Sequence, residues 1–397
     1  MGAHQIHDLD FPVASKRDVC MHHDHFPHTN ERFSNFELLL EMYQEHSLAL
    51  IASSSIGIPM KAFVVHAPGE SSIEEVDDPV AKSGEVVVDV VRAGVCGTDV
   101  EFFDGDMAYF STGEAQYPIR LGHEWCGVVT SVGDKADHAW IGKRVTGDTI
   151  LGCQRCKRCL NGLQHVCSDR FEIGIRNGWP GALAEKLLVP THALHALPDS
   201  IDETIGALIE PGGNALRSAQ AAQAAPGKKV LIWGSGTIGL LTAQFALAMG
   251  AEVDVIGKDE STLSLAKNFG AHEVFMEISQ LCDGYNAIVD ATNSSDVPSQ
   301  ALSIVEPGGR VVYIGVSGEK SNLDSRSLVL KDVTAVGILS ASPGLKGAID
   351  FYSRGEIDPR PIVAATVGLH QTALVLSGER PEGSGVGPKF HIDPRVN

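Results

Sequence analysis

Apolar positions follow two rhythms along the chain, and the change between them near residue 210 divides the sequence. Before that point, short β-branched runs are broken by Gly, Pro and Asp. Val86-Val87-Val88-Asp89-Val90-Val91 and Gly127-Val128-Val129-Thr130-Ser131-Val132 predict strands. Short strands at irregular intervals predict an antiparallel, barrel-like domain carrying long functional loops. Beyond it, strand and helix alternate. Lys229 to Trp233 predicts a buried strand, and Ile238, Leu241, Phe245 and Met249 then recur at helical spacing before Gly250. Glu252 to Ile256 predicts the next strand, and Ser261 is the expected cap of a helix running to Phe269. Further strands are expected at Ala287 to Asp290, Arg310 to Gly315 and Val333 to Ile338. Strands separated by helices require right-handed parallel crossovers, hence an α/β, doubly wound parallel sheet.

These rhythms predict a catalytic domain over residues 60–210 and 341–397, with a dinucleotide-binding domain over 211–340 between its parts. Residues 1–59 carry His4, His7, His22, His23, His25 and His28 without a period and read as a poorly ordered extension with surface polar residues. Met60, followed at once by Lys-Ala-Phe-Val-Val, is the expected start of the folded part.

The hydrophobic share of 43% and charged share of 20% are those of a globular protein. A net charge of −19 weighs against nucleic acid or an anionic membrane as partner. No run of eighteen apolar residues occurs, so no spanning helix is expected. Eight cysteines are too few for a disulfide scaffold in 397 residues, and four crowd between Cys153 and Cys167. That points to metal and a reducing, cytoplasmic setting.

Gly234-Ser235-Gly236-Thr237-Ile238-Gly239 is a G-x-G-x-x-G run that follows a strand and opens a helix, the context a dinucleotide site requires. Gly234 permits the tight turn, Gly236 lets the backbone approach the pyrophosphate, and Gly239 lets helix and strand pack closely. At the end of the second strand, an acidic residue would bond the ribose of NAD. Gly257-Lys258 stands there instead, leaving room and a counter-charge for a 2′-phosphate, so NADP is favoured over NAD. Asp259, one residue on, argues the other way.

Cys153, Cys156, Cys159 and Cys167 form C-x2-C-x2-C-x7-C, within a lobe over residues 152–168. Four thiolates at this spacing close a tetrahedral zinc with no open position, so this site is structural. A second set is dispersed: Cys96, His123, Glu124 and Glu210. One thiolate, one imidazole and a carboxylate can hold zinc with a place left for a substrate oxygen, and zinc acidifies a hydroxyl there. Thr98 is placed to relay the proton, and Asp99 to take the free ring N–H of His123 and set its tautomer.

In Gly94-Val95-Cys96-Gly97-Thr98-Asp99, Gly122-His123-Glu124, the four-cysteine lobe, Gly181-Ala182-Leu183-Ala184-Glu185, Glu210-Pro211 and the glycine run, the chain from Met60 onward resembles the zinc-containing medium-chain dehydrogenase/reductase family. The resemblance implies a GroES-like catalytic domain, a Rossmann domain, an active site in the cleft between them, and a homodimer or homotetramer. It also implies that Cys96, His123 and Glu124 serve a catalytic zinc. Glu210-Pro211 is similar to the sorbitol, threonine and glucose dehydrogenase branch, where this carboxylate binds zinc directly or through water. Glu101 stands where many relatives carry histidine in the proton relay, which tilts the expected substrate towards polyhydroxylated molecules. Gly212-Gly213-Asn214 departs from the family pattern. The expected activity is a zinc-dependent hydride transfer between NAD(P) and a small alcohol, polyol or sugar. The alternatives are a threonine-type amino-alcohol dehydrogenase and a catalytically silent zinc-binding structural protein.

Overall fold

The computed structural model describes residues 59–396. The histidine-bearing stretch read as an extension lies, up to residue 58, outside the described residues. Seventeen strands are described: β1 (Met60–Ala67), β2 (Glu70–Val76), β3 (Glu85–Val95), β4 (Glu124–Val132), β5 (Arg144–Gly147), β6 (Ile150–Leu151), β7 (Phe171–Glu172), β8 (Lys186–Pro190), β9 (Leu194–Ala196), β10 (Lys229–Trp233), β11 (Glu252–Ile256), β12 (Glu273–Phe275), β13 (Ala287–Asp290), β14 (Arg310–Tyr313), β15 (Thr334–Gly337), β16 (Val363–Gly368) and β17 (Lys389–Asp393).

Six of them, in the order β12-β11-β10-β13-β14-β15, make one wholly parallel sheet. Val230, Leu231 and Ile232 of β10 are fully buried, as a strand with helices on both faces must be. The strand order reverses between β10 and β13, and that switch point opens a crevice at the carboxyl ends of the strands. The helix Thr237–Ala248 follows β10 and ends in a turn at Gly250, whose φ of +87° suits glycine. The next helix starts earlier than expected. Its cap is Asp259, not Ser261: the Asp259 carboxylate accepts the N–H groups of Ser261 (2.8 Å) and Thr262 (3.0 Å), and the helix runs Glu260–Asn268. The short strand β12 has only Val274 and Phe275 to mark it, too little pattern to predict a strand.

A second, seven-stranded sheet runs β16-β17-β3-β4-β5-β9, with β8 also paired to β3. All its pairs are antiparallel except β16 with β17. β3 sits at its centre because eleven residues of mostly β-branched sequence give it three neighbours. The last strand, β17, comes from the far end of the chain and puts His391 opposite Gly94 and Ile392 opposite Ala93. This long-range pairing builds the site below.

Candidate active site and metal centres

Three elements meet at the candidate site. Cys96 follows β3 and caps the helix Gly97–Asp104, its sulfur accepting from Thr98 N at 3.3 Å. His123 and Glu124 enter β4, where Gly94 of β3 lies opposite Glu124. Glu210 lies in the first turn of the helix Ile209–Ala221, which leads towards the parallel sheet.

Cys96 Sγ stands 3.1 Å from His123 Nε2. On the other side of the ring, His123 Nδ1 approaches Asp99 Oδ1 at 3.5 Å. Asp99 is itself fixed by the backbone N–H groups of Cys96 (2.9 Å) and Gly122 (3.1 Å). Asp99 Oδ1 is thus the acceptor facing Nδ1, while Nε2 faces the thiol. Burial raises the Cys96 thiol above its ordinary value despite the nearby His123. Burial pulls His123 down, but Cys96 and Asp99 together hold it well above its ordinary value.

Ligand atoms of Cys96, His123 and Glu124 lie within 4.8 Å of one another. Such a buried donor set, one soft sulfur, one imidazole and one carboxylate, fits zinc. Glu210 is buried but stands outside that trio. Burial pushes its carboxyl up to about 7, and Asn214 Nδ2 donates to its Oε1 at 3.1 Å. This gives the Gly212-Gly213-Asn214 departure physical content. Asn214 positions Glu210, while a Cβ at Gly212 would stand 2.5 Å from the Tyr352 hydroxyl and one at Gly213 would stand 2.9 Å from Ala341 Cβ. Thr98 is half-buried at the start of its helix, and Glu101 is exposed.

One residue of the site escaped sequence reasoning. Lys389 Nζ donates to Glu124 Oε1 at 2.8 Å, to Oε2 at 2.7 Å and to Val95 O at 2.8 Å. Lys389 and Glu124 are each 2% exposed. Gly94 makes the room: a Cβ there would collide with Glu124 Oε2. A lysine near the chain end normally reads as surface. The available signal was alternation, because Lys389, His391 and Asp393 share one face of β17.

Cys153, Cys156, Cys159 and Cys167 also bring their sulfurs within 4.8 Å of one another. Cys153 and Cys159 are 4.0 Å apart, and Cys156 and Cys167 are 3.8 Å apart. Backbone N–H groups of Arg155 and Cys156 aimed at Cys153 hold its thiol down, to about 6. Amides pointing at sulfur favour the thiolate, the form that binds metal.

At the parallel sheet, Gly234 has φ +112°, and a Cβ on it would approach Ala291 O at 2.8 Å. A Cβ on Gly239 would collide with Gly234 O, whereas one on Gly236 would meet no protein atom within 4 Å. The turn is therefore closed on the protein side and open where a pyrophosphate would approach. The helix from Thr237 has no side-chain cap, so its first N–H groups are left for an anion. Ile238 sits in that first turn. A side chain at Gly257 would collide with Ser235 Oγ. Lys258 is exposed beside it, and Asp259 is engaged as the cap described above.

A dinucleotide-type sheet joined to a mixed β-sheet bearing a thiol–imidazole pair defines a zinc-type alcohol dehydrogenase. Comparison with known proteins agrees. The Alcohol dehydrogenase GroES-like domain family matches residues 82–199, and the Zinc-binding dehydrogenase family matches residues 237–354. L-threonine 3-dehydrogenase of Chelativorans sp. is 29% identical over 291 residues, covering 70% of this chain and 83% of that protein. The alcohol dehydrogenase rspB of Escherichia coli CFT073, solved with NADH, has TM-score 0.78 and 26% identity, covering 85% of this chain and 100% of that one. A zinc-binding dehydrogenase of Sinorhizobium meliloti 1021, solved with NADP, has TM-score 0.76 and 26% identity, covering 85% and 99%. The chain belongs to the zinc-containing medium-chain dehydrogenase/reductase family and is an NAD(P)-linked oxidoreductase acting on alcohols.

Proposed function

We propose that this protein oxidises a secondary carbinol of a polyol or sugar, or reduces the matching carbonyl, with NADP preferred over NAD. The observation that carries the reading is the Cys96–His123 pair, 3.1 Å apart at a buried carboxylate. Cys96 and His123 would hold the catalytic zinc, with Glu124 as the carboxylate beside them and Glu210, outside that trio, as a further ligand, direct or through water. When bound, zinc acidifies a hydroxyl and polarises a carbonyl.

The chain's own residues do the rest. Asp99 fixes the His123 tautomer. The Thr98 hydroxyl takes the substrate proton towards solvent. Asn214 holds the Glu210 carboxylate. The first turn from Thr237 and Ile238 receives the pyrophosphate, and Lys258 meets the 2′-phosphate beside Gly257. Engagement of the Asp259 carboxylate as a helix cap supports this choice, since it leaves that side chain less free for a ribose. In this reading Cys153, Cys156, Cys159 and Cys167 hold a second, structural zinc, and the protein works in the cytoplasm as a homodimer or homotetramer.

Replacing Cys96 by Ser tests the site. Turnover of a panel of alcohols, polyols and aldoses should vanish while fold and second zinc persist. Activity that survives the change refutes the mechanism. L-threonine belongs in the panel, because a threonine dehydrogenase is among the relatives. Glu101, standing where many relatives carry a relay histidine, favours the polyol reading.

A further inference from the structure

We propose that the cavity beneath the β1–β2 hairpin is a binding site for a small organic anion, a carboxylate or phosphate, with Arg120 as its charged anchor. The cavity holds about 610 Å³ and is lined by Val64 and Val76 of the hairpin, by Pro118 and Arg120, and by Trp179 and Pro180. That size suits a small molecule. Neither the Cys96–His123 pair nor Glu124, Glu210 or the glycine turn lines it, so the site stands apart from the dehydrogenase chemistry and does not depend on it.

Arg120 is the reason to expect an anion. Arg92, Arg170 and Arg176 are also largely buried, and each holds a carboxylate: Glu203, Glu172 and Glu114 respectively. Among the described residues Arg120 holds none; its buried Nε lacks a hydrogen-bond partner, as do those of Arg92 and Arg176, but of these four arginines it is Arg120 that has no carboxylate. Burial, with no carboxylate opposing it, pulls its pKa down to about 10, which still leaves it charged at neutral pH. A half-buried cation without a counter-charge is costly, and a bidentate carboxylate or phosphate relieves that cost.

Two carboxylates reach the cavity wall, but both are engaged. Glu114 is held by Arg176 and by Thr112 Oγ1, and Glu74 by His66 and Ser72. The backbone that carries the anchor is fixed. Arg120 O accepts from Gly181 N at 2.8 Å, and the adjacent Ile119 is bonded both ways to Val65. Trp179 is fixed by its indole N–H on Leu188 O at 3.0 Å, and it gives the cavity an aromatic wall for an organic body.

The test is calorimetric titration of the zinc-loaded, full-length protein with benzoate, its uncharged analogue benzamide, and inorganic phosphate. Benzoate or phosphate should bind saturably, and benzamide at least roughly tenfold more weakly than benzoate. Benzoate alone indicates a carboxylate ligand, and phosphate alone a phosphate ligand; either supports the site. Arg120→Gln should weaken binding roughly ten- to a hundredfold, and Arg120→Lys should restore part of it. Saturating NADP should leave the affinity unchanged. The proposal is overturned if neither anion saturates, if benzamide matches benzoate, if Arg120→Gln binds as wild type does, or if NADP competes. Loss of activity in Cys96→Ser leaves it standing.

Discussion

Replacing Lys389 by Met removes one ammonium from the interior and keeps most of its stem. All three Nζ hydrogens are in use, on Glu124 Oε1, Glu124 Oε2 and Val95 O, at 2.7 to 2.8 Å. Both side chains are all but shut off from water. The change therefore strips a buried carboxylate of the ammonium bonded to both its oxygens and leaves His123 as the one cation of the metal-binding trio beside it. Removing one partner of a buried pair costs about 3–5 kcal/mol. Urea denaturation of metal-free protein should show that loss. Lys389→Met with Glu124→Leu removes both charges, and it should recover all but about 1–2 kcal/mol of wild-type stability. Zinc should narrow the gap in the single variant, because the cation gives Glu124 a new counter-charge. A single variant within about 1 kcal/mol of wild type, or a double variant as unstable as the two singles added, refutes the reasoning.

Glu210 should make stability of the metal-free protein fall with rising pH. Unfolded, it titrates near 4.5; folded, burial moves it to about 7, so between those values the unfolded chain has released a proton that the folded chain keeps. The loss across that window is about 3 kcal/mol. Glu210→Gln should abolish it, and a wild-type-minus-variant difference that stays flat with pH contradicts the assignment. Cys153→Ser should lower thermal stability and metal content before it lowers turnover, as measured by melting and metal analysis; unchanged melting with full metal content argues against a structural centre. Lys258→Ala should raise the KM for NADP roughly five- to tenfold and leave that for NAD in place; equal changes for both cofactors remove Lys258 from the 2′-phosphate.

Much of this protein was legible along the chain because its signals are local. The four cysteines lie within fifteen residues, so spacing alone brings their sulfurs together. The glycine turn is one strand end and one helix start, and β10 and β13 are short apolar runs that declare themselves. Cys96 and His123 were visible as residue types in short motifs. Their 3.1 Å approach was not, since it depends on β3 pairing with β4.

What tertiary structure decided is everything that rests on partners distant in sequence. Lys389 is 265 residues from Glu124, and only the pairing of β17 with β3 turns a late lysine into a buried counter-ion. Asn214 acquires its role from where the helix Ile209–Ala221 is docked. Arg120 becomes conspicuous only once its neighbours are seen to offer it no carboxylate. Local sequence determines which backbone shape and which donor atoms a segment offers. Whether a charge is matched or left alone depends on what the fold lays beside it after water has been expelled, and no spacing along one strand encodes that.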